Sequence, residues 1–508
     1  MTSKEPLYVA VDLGAGSGRV FLGGISETEL RLEEVHRFHY SPVQENGHLR
    51  WNAAQIFKAV KTGLWRAGEW ARGLGRSIGT IGVDSWGTDY GLIDVEGSLC
   101  ENPVCYRDKR TQQIIQEFFA RVSREEIFAR TGIQFLVFNS IFQLYAQTKA
   151  GLPEDSVSLL MIPDLMNFLL TRKRCTEYTN ATTTQMVSAQ SGNWDRELLS
   201  KLNLPYHLLA PIVPAGTDLG PLEFMIGQEV GLDDVHVIAP ATHDTASAVA
   251  GSPIQKDFAF ISSGTWSLVG VERHSPIINN EVSRRNFTNE GGALGTVRFL
   301  KNVMGLWILE SCRTEWQENG LDAEYDSLLS RLSVIDDTPA FIFPDDPRFF
   351  SPLSMLEAVS QQLTETGQRV PEDMPALTKV ILDSLAFRYA SVVNSIRFLT
   401  GQTIHGIQVV GGGSKNDYLN QATANASGLP VFAGPAEATV TGNIVVQAIA
   451  SGRVASLEEA RRYISTLSRV KKFIPRQTTA LEQASRRYAA IEGRWIEDEA
   501  ALVHHLSG

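Results

Sequence analysis

Four cysteines are few for 508 residues, and Cys100, Cys105, Cys175 and Cys312 show no C-x-x-C pairing. That spacing excludes a zinc framework, and a chain this long needs no disulfide staples. Cationic residues are also short. The 46 Lys and Arg against 57 Asp and Glu leave a net charge of −11. Nucleic-acid binders usually carry a basic face, so that class is set aside, although a local cationic pocket for phosphate stays compatible. Long apolar runs are missing too. The most apolar stretch, 158–170, is interrupted by Asp164 and Asn167 and is too short for a membrane span. The start, MTSKEPLYVAVDL, lacks the basic region, apolar core and small-residue cleavage site of a secretory signal. These absences point to a cytoplasmic protein with neither a membrane nor a nucleic acid as partner. Nothing in the pattern speaks to oligomeric state.

What is present is material for large cores. The apolar fraction is 43%, and the length favours two large domains or a few smaller ones. Leu7 to Leu13 reads as a buried strand, followed by the turn Gly14-Ala15-Gly16-Ser17-Gly18 and a second strand from Val20 to Ile25. Ile78 to Val83 is another apolar run, ending in Asp84-Ser85-Trp86-Gly87, with a strand-like segment at Tyr90 to Val95. Helices fill much of 110–170. Val235 to Ile238 then reads as a strand leading to Ala241-Thr242-His243-Asp244-Thr245, and 258–271 repeats the strand, small-residue turn, strand pattern. A duplicated domain and two unrelated hairpins both fit this echo. Leu377 to Leu399 keeps one apolar face and meets Gly401, which predicts a helix and its stop. Ile404 to Val410 predicts a strand, and the tail from about Ala455 reads as helical and charged. The expected boundary falls just after Ala250.

Three turns of small residues, 14–18, 262–265 and 411–414, follow strands. Small residues let backbone N–H groups approach phosphate oxygens, and Ser17, Thr265 and Ser414 add hydroxyls, with Arg19 a cation beside the first turn. The first turn is not G-x-G-x-x-G and leads into a strand, so a dinucleotide fingerprint does not apply. No Walker motif exists, because Lys415 is followed by Asn416. Gly14 to Gly18 also reads G-x-S-x-G, but a hydrolase elbow needs a helix after the Ser.

Asp12, Asp84 and Asp244 each close an apolar run. A charge there is costly unless paired, hydrated or bound to a cation. Capping a turn or a helix is one reading of each. The other is phosphoryl transfer, which needs one carboxylate to accept an alcohol proton and others near Mg²⁺. His243-Asp244 also suggests a metal-dependent phosphohydrolase, but the ten histidines lack the accompanying spacing.

The segments VAVDLGAGSGRV, IGVDSWGTDYGL, YTNATTTQMV, THDTASAV, ISSGTWSLVG, NEGGALG, LKNVMGLW and VVGGGSKNDYLNQ resemble the FGGY carbohydrate kinase family, and within it the branch that acts on L-rhamnulose. The resemblance runs from Val9 to about Gly442. It implies an α/β fold of two ribonuclease-H-like (actin/hexokinase-type) domains around a central cleft. Residues 1–250 would be mainly sugar-binding and 251–508 mainly nucleotide-binding. It also implies ATP-dependent phosphorylation of a small-molecule ketose, L-rhamnulose, at its 1-hydroxyl. By the same resemblance Asp244 is the proton acceptor, and Gly87, His243, Asp244, Thr245 and Asn302 face the sugar. Ala15, Gly16, Ser17, Gly18, Arg19, Thr265 and Gly412 face ATP, and Asp12 lies near Mg²⁺. Thr245 stands where many family members carry Gln, which points to the L-rhamnulose branch. Glu310 stands on the nucleotide side, where that branch often carries Gln. Rival readings are a kinase for another ketose or a linear dihydroxy-ketone signal, and a non-catalytic actin-like sugar sensor.

Overall fold

The computed structural model describes residues 6–332, 335 and 340–496. The outermost residues of the two expected domains, 1–5 and 497–508, lie outside that range. Two mixed sheets organise the chain. The first contains β1 (Leu7–Leu13), β2 (Ser17–Ile25), β3 (Leu30–His39), β4 (Ile78–Ser85), β5 (Thr217–Pro221) and β6 (His236–Ala239), in the order β5-β6-β4-β1-β2-β3. The second contains β7 (Phe258–Ser263), β8 (Trp266–Arg273), β9 (Thr288–Gly291), β10 (Val297–Met304), β11 (Gly406–Val410), β12 (Val431–Ala433) and β13 (Lys471–Phe473), in the order β9-β10-β8-β7-β11-β12-β13.

Both sheets carry the same five-strand core. An antiparallel hairpin, β1–β2 or β7–β8, extends antiparallel on one side to β3 or β10. On the other side its first strand pairs in parallel with β4 or β11, which pairs in parallel with β6 or β12. The echo in the sequence is therefore a repeat of topology, and each half is ribonuclease-H-like. The charged tail is not wholly helical. Its segment β13 pairs antiparallel with β12 and closes the sheet edge.

β1 is buried along its whole length, which explains its unbroken apolar run. Leu7, Val9, Val11 and Leu13 join the large core that includes residues of α1 (Ala53–Gly73). Tyr8 and Ala10, on the opposite face, pack with Val440 and Ile444 of a late helix, Ala438–Ala450. Each fully buried Val or Leu stabilises by about 1.5–3 kcal/mol.

In chain order the other helices used below are α2 (Ser140–Ala150), α3 (Asp244–Ala250), α4 (Trp307–Glu318), α5 (Met374–Thr400) and α6 (Ala438–Ala450). Helix α5 begins where Asp373 accepts a bond from the Ala376 N–H at 2.8 Å, and it ends at Gly401 with φ +67°. Helix α6 comes from the second half of the sequence but rests on the first sheet. Its Asn443 donates to Asp84 Oδ2 at 2.5 Å, and its Gln447 donates to the Val9 carbonyl at 3.0 Å and accepts from Thr80 Oγ1 at 2.7 Å. Helices α3 and α6 touch backbone to backbone. A Cβ on Gly442 would lie 1.8 Å from the Ser247 carbonyl oxygen, and one on Gly251 would lie 2.1 Å from that of Ala438. Only hydrogen fits at these two positions, so the halves are joined at a glycine contact.

Candidate active site

The halves enclose a cleft of about 480 Å³ at the strand ends. Asp12, Ala15, Ser17 and Arg19 line it from the β1–β2 turn, and Gly87 lines it from the segment after β4. His243, Asp244 and Thr245 line it at the start of α3. From the second half come Thr265 of the β7–β8 turn, Asn302 of β10 and Gly412 after β11. Residues far apart in sequence thus meet because two copies of one topology face each other with their strand ends inward.

Gly16, Gly18 and Glu310 are not among the lining residues. Gly18 has a packing reason instead, since a Cβ there would lie 2.2 Å from the Phe38 ring. Gly16 has no neighbour within 4 Å of a Cβ. Glu310 lies on α4 and pairs with Arg313 at 2.7 Å on the outer part of that helix. Gly411 is the glycine of the third turn that the backbone demands. Its φ is +80°, and a Cβ would approach the Ser263 carbonyl oxygen to 2.9 Å.

The three acids differ in setting. Asp12 faces the cleft and accepts from Arg19 Nη2 at 2.5 Å, while the other guanidinium arm pairs with Glu437 of the second half. Burial works against the Arg19 charge, but Asp12 and Glu437 more than offset it, so its pKa is raised. Asp84, in register with Asp12 across β1 and β4, does not line the cleft. It is fully buried beneath it, and burial together with the Asp12 charge holds its pKa well above the ordinary carboxylate value. Asp244 is not a strand-end residue, as the apolar run suggested. Pro240 follows the end of β6, and Asp244 opens α3. It lies deep among protein atoms yet keeps 31% of its side chain open to the cleft. The Thr245 N–H donates to its Oδ1 at 2.5 Å. Burial and the Asp12 charge push its pKa up to about 7, against those bonds.

Several structural partners left little sequence signal. Asp89 is fully buried and accepts from Trp51 Nε1 at 2.7 Å, Trp86 Nε1 at 3.0 Å, the Tyr106 N–H at 3.1 Å and Gln143 Nε2, on α2, at 3.1 Å. Burial lifts its pKa to about 6 despite those donors. This knot fixes the Trp86 ring beside Gly87. Gln134 reaches across the halves, its Oε1 accepting from Asn302 N and Nδ2 at 2.9 and 3.0 Å. Glu290 lines the cleft, and Arg298 is buried behind it, 3.1 Å away. The only hint of this pair was an Arg inside an otherwise strand-like apolar run and an acid inside NEGGALG. Arg37 and Lys415 also line the cleft, so an acidic chain still presents local positive charge.

Chemically, the cleft offers a carboxylate with a near-neutral pKa, a second carboxylate beside a small-residue turn, and neutral backbone turns opposite. Among the described residues no helix is long and apolar enough to cross a membrane, and no group of three or more His, Cys, Asp or Glu forms a metal cluster. All four cysteines are free thiols.

Residues 7–251 match the N-terminal domain of the FGGY family of carbohydrate kinases, and residues 259–451 match its C-terminal domain. A rhamnulokinase from Bacteroides thetaiotaomicron is 40% identical over 480 residues, covering 94% of this chain and 97% of that protein. One from Pectobacterium carotovorum is 40% identical over 95% of this chain and 96% of its own length. A ligand-bound xylulose kinase structure from Lactobacillus acidophilus superposes with a TM-score of 0.78 at 16% identity, covering 96% of this chain and 98% of its own. Plasmodium falciparum glycerol kinase with ADP gives 0.76 at 15% identity, covering 98% and 99%.

Proposed function

The chain belongs to the FGGY family of carbohydrate kinases, and we propose that it moves the γ-phosphoryl group of ATP onto the 1-hydroxyl of L-rhamnulose, giving L-rhamnulose 1-phosphate and ADP in the breakdown of L-rhamnose. The observation that carries the substrate is the 40% identity to rhamnulokinases along nearly the whole of both chains. Low cysteine use and the need for ATP support a cytoplasmic setting.

The reading assigns the ketose to the first-half side of the cleft, near Gly87 and 243–245, with Asn302 reaching it from β10. ATP lies along the second half, near Thr265 and Gly412, its terminal phosphate at the 15–19 turn. Thr245 occupies one oxygen of Asp244, which leaves Oδ2 for the incoming hydroxyl. The hydroxyl oxygen bonds to the γ-phosphorus, the bond from that phosphorus to the bridging oxygen of ADP breaks, and the hydroxyl proton passes to Asp244. A pKa of about 7 suits that task, because about half of the base is ionised at neutral pH and it still holds the proton it receives. Arg19 and the backbone N–H groups of the turns hold the phosphates. The cleft-facing carboxylate of Asp12 beside the small-residue turn fits Mg²⁺, which takes one or two carboxylates plus phosphate oxygens and keeps water. A bound Mg²⁺ supplies neutralisation of the phosphate charge during transfer. Positioning provides most of the rate, and exclusion of water from the cleft limits hydrolysis of ATP.

The test is a comparison of L-rhamnulose with L-fuculose, D-xylulose and L-ribulose by coupled detection of ADP. L-Rhamnulose should lead in kcat/KM by about tenfold or more. A different ketose in the lead would overturn the substrate. ADP release that no sugar stimulates would overturn the reaction.

A further inference from the structure

Arg298 is fully buried on β10 and has no exposed face, yet it reaches the machinery through another side chain. Its Nε donates to the Gly291 carbonyl at 2.8 Å, which fixes the plane of the guanidinium. Its Nη2 carries two hydrogens. One is directed at His243 Nδ1, 2.9 Å away, while Glu290 Oε2 forms an ion pair with the same nitrogen at 3.1 Å without lying in line for a hydrogen bond. A guanidinium can donate but not accept, so the bond at 2.9 Å requires a bare, accepting Nδ1. The imidazole proton then sits on Nε2. That nitrogen is 3.5 Å from Asp244 Oδ1. Burial, reinforced by the Arg298 charge, keeps His243 well below its ordinary pKa and hence neutral.

The competing arrangement is visible in the same distances. Glu290 Oε2 lies 3.6 Å from His243 Nδ1. Without Arg298, that carboxylate would draw the proton to Nδ1, and Nε2 would face Asp244 as a lone pair. Two acceptors would then compete for the hydroxyl proton, and the imidazole would repel the ionised base. We propose that Arg298 is a positioning residue that locks His243 in the Nε2–H tautomer, so that the imidazole presents a donor beside the Asp244 carboxylate. This rests on the reading of Asp244 as the base. The choice of tautomer is set by the residue behind the histidine, as it is when a carboxylate or carbonyl holds the other nitrogen, but with the opposite polarity.

The test combines kinetics with ¹⁵N-histidine NMR of the full-length protein, in which a His243→Asn variant identifies the His243 signals. In the parent, Nε2 should carry the proton and Nδ1 should resonate as an unprotonated acceptor. Arg298→Met should move the proton to Nδ1 and lower kcat about 100-fold, with the KM for ATP changed less than about threefold. Arg298→Lys, which keeps a charged donor, should recover about tenfold of that loss. Adding Glu290→Gln to Arg298→Met should also recover about tenfold, because the new amide can donate to Nδ1 in place of the guanidinium. A merely structural arginine would not be rescued by a second change to its own partner. A parent His243 protonated on Nδ1 overturns the proposal. So does an Arg298→Met protein that melts like the parent and keeps kcat within about threefold, or one that neither substitution rescues. Should Arg298→Met fail to fold, the parent spectrum and Arg298→Lys still decide. The tautomer is read without turnover, so a protein that fails to phosphorylate any ketose would fail the functional reading and leave the tautomer result standing.

Discussion

The two halves share a strand order but not a chemistry. At the end of β1 and β4 the first half places Asp12 and Asp84, and Asp244 follows β6. At the corresponding ends of β7 and β11 the second half places Ser262, Ser263 and Gly411 to Gly413, with no carboxylate. One scaffold therefore supports an acidic side that can take a proton and, opposite it, neutral turns of backbone and hydroxyls, while the second half's cleft carboxylates, Glu290 and Glu437, each pair with an arginine. The division has an electrostatic reason. On the proposed reading, a triphosphate is repelled by carboxylates unless a cation intervenes, so a surface that holds most of its length is best made of N–H donors. On the same reading, the acids belong where the hydroxyl proton is taken up and where Mg²⁺ would be held.

Four experiments can break or sharpen that contrast. The largest effect is expected from Asp244→Asn, which keeps shape and removes basicity. It should lower kcat about 10³-fold or more while the sugar KM stays within a few-fold, read by steady-state ADP release. Near-normal turnover would remove the acidic side from the chemistry. Next is the pH profile. Asp244 must be ionised to accept a proton, so kcat/KM for the sugar should fall as pH drops below about 7, about tenfold per unit. A flat profile from pH 5 to 7.5 would assign the proton elsewhere. Third, Gly412→Asp gives the neutral turns a carboxylate. A Cβ there has no neighbour within 4 Å, so the change is electrostatic and not steric. The KM for ATP should rise about tenfold with the sugar KM unchanged, and an unchanged KM for ATP would show that neutrality of this turn does not matter. The smallest effect on chemistry is expected from Gly442→Ala, at the joint of the halves. It should destabilise by about 1–3 kcal/mol, seen as a lowered melting temperature, because the α3–α6 contact must open. An unchanged melting temperature would mean that the joint tolerates a gap.

Much of this was legible in the sequence. β1 appears with the bounds that its apolar run suggested, because a strand buried on both faces needs no partner information to be recognised. Helix α5 was equally plain from its periodicity and Gly401. Less visible was the true setting of Asp244, since a short helix after Pro240 looks like the continuation of a strand. Asp84 looked like Asp12, yet one is buried against Asn443 and the other faces the cleft. That difference depends on where α6 lies, more than 350 residues along the chain. Arg298 and Asp89 give little sequence signal for the same reason. A buried charge is identifiable only by its partners, and those lie on other elements.

The sequence by itself determined strands β1, β2, β4, β6, β7, β8 and β11, the small-residue turns, the repeated hairpin pattern and the family, because each is written in contiguous residues. Tertiary structure decided which acids share the cleft, that α6 rests on the other half's sheet, and which nitrogen of His243 carries the proton. The physical reason is that pKa, tautomer and burial are set by groups within a few ångströms in space, and nothing in local periodicity reports those distances.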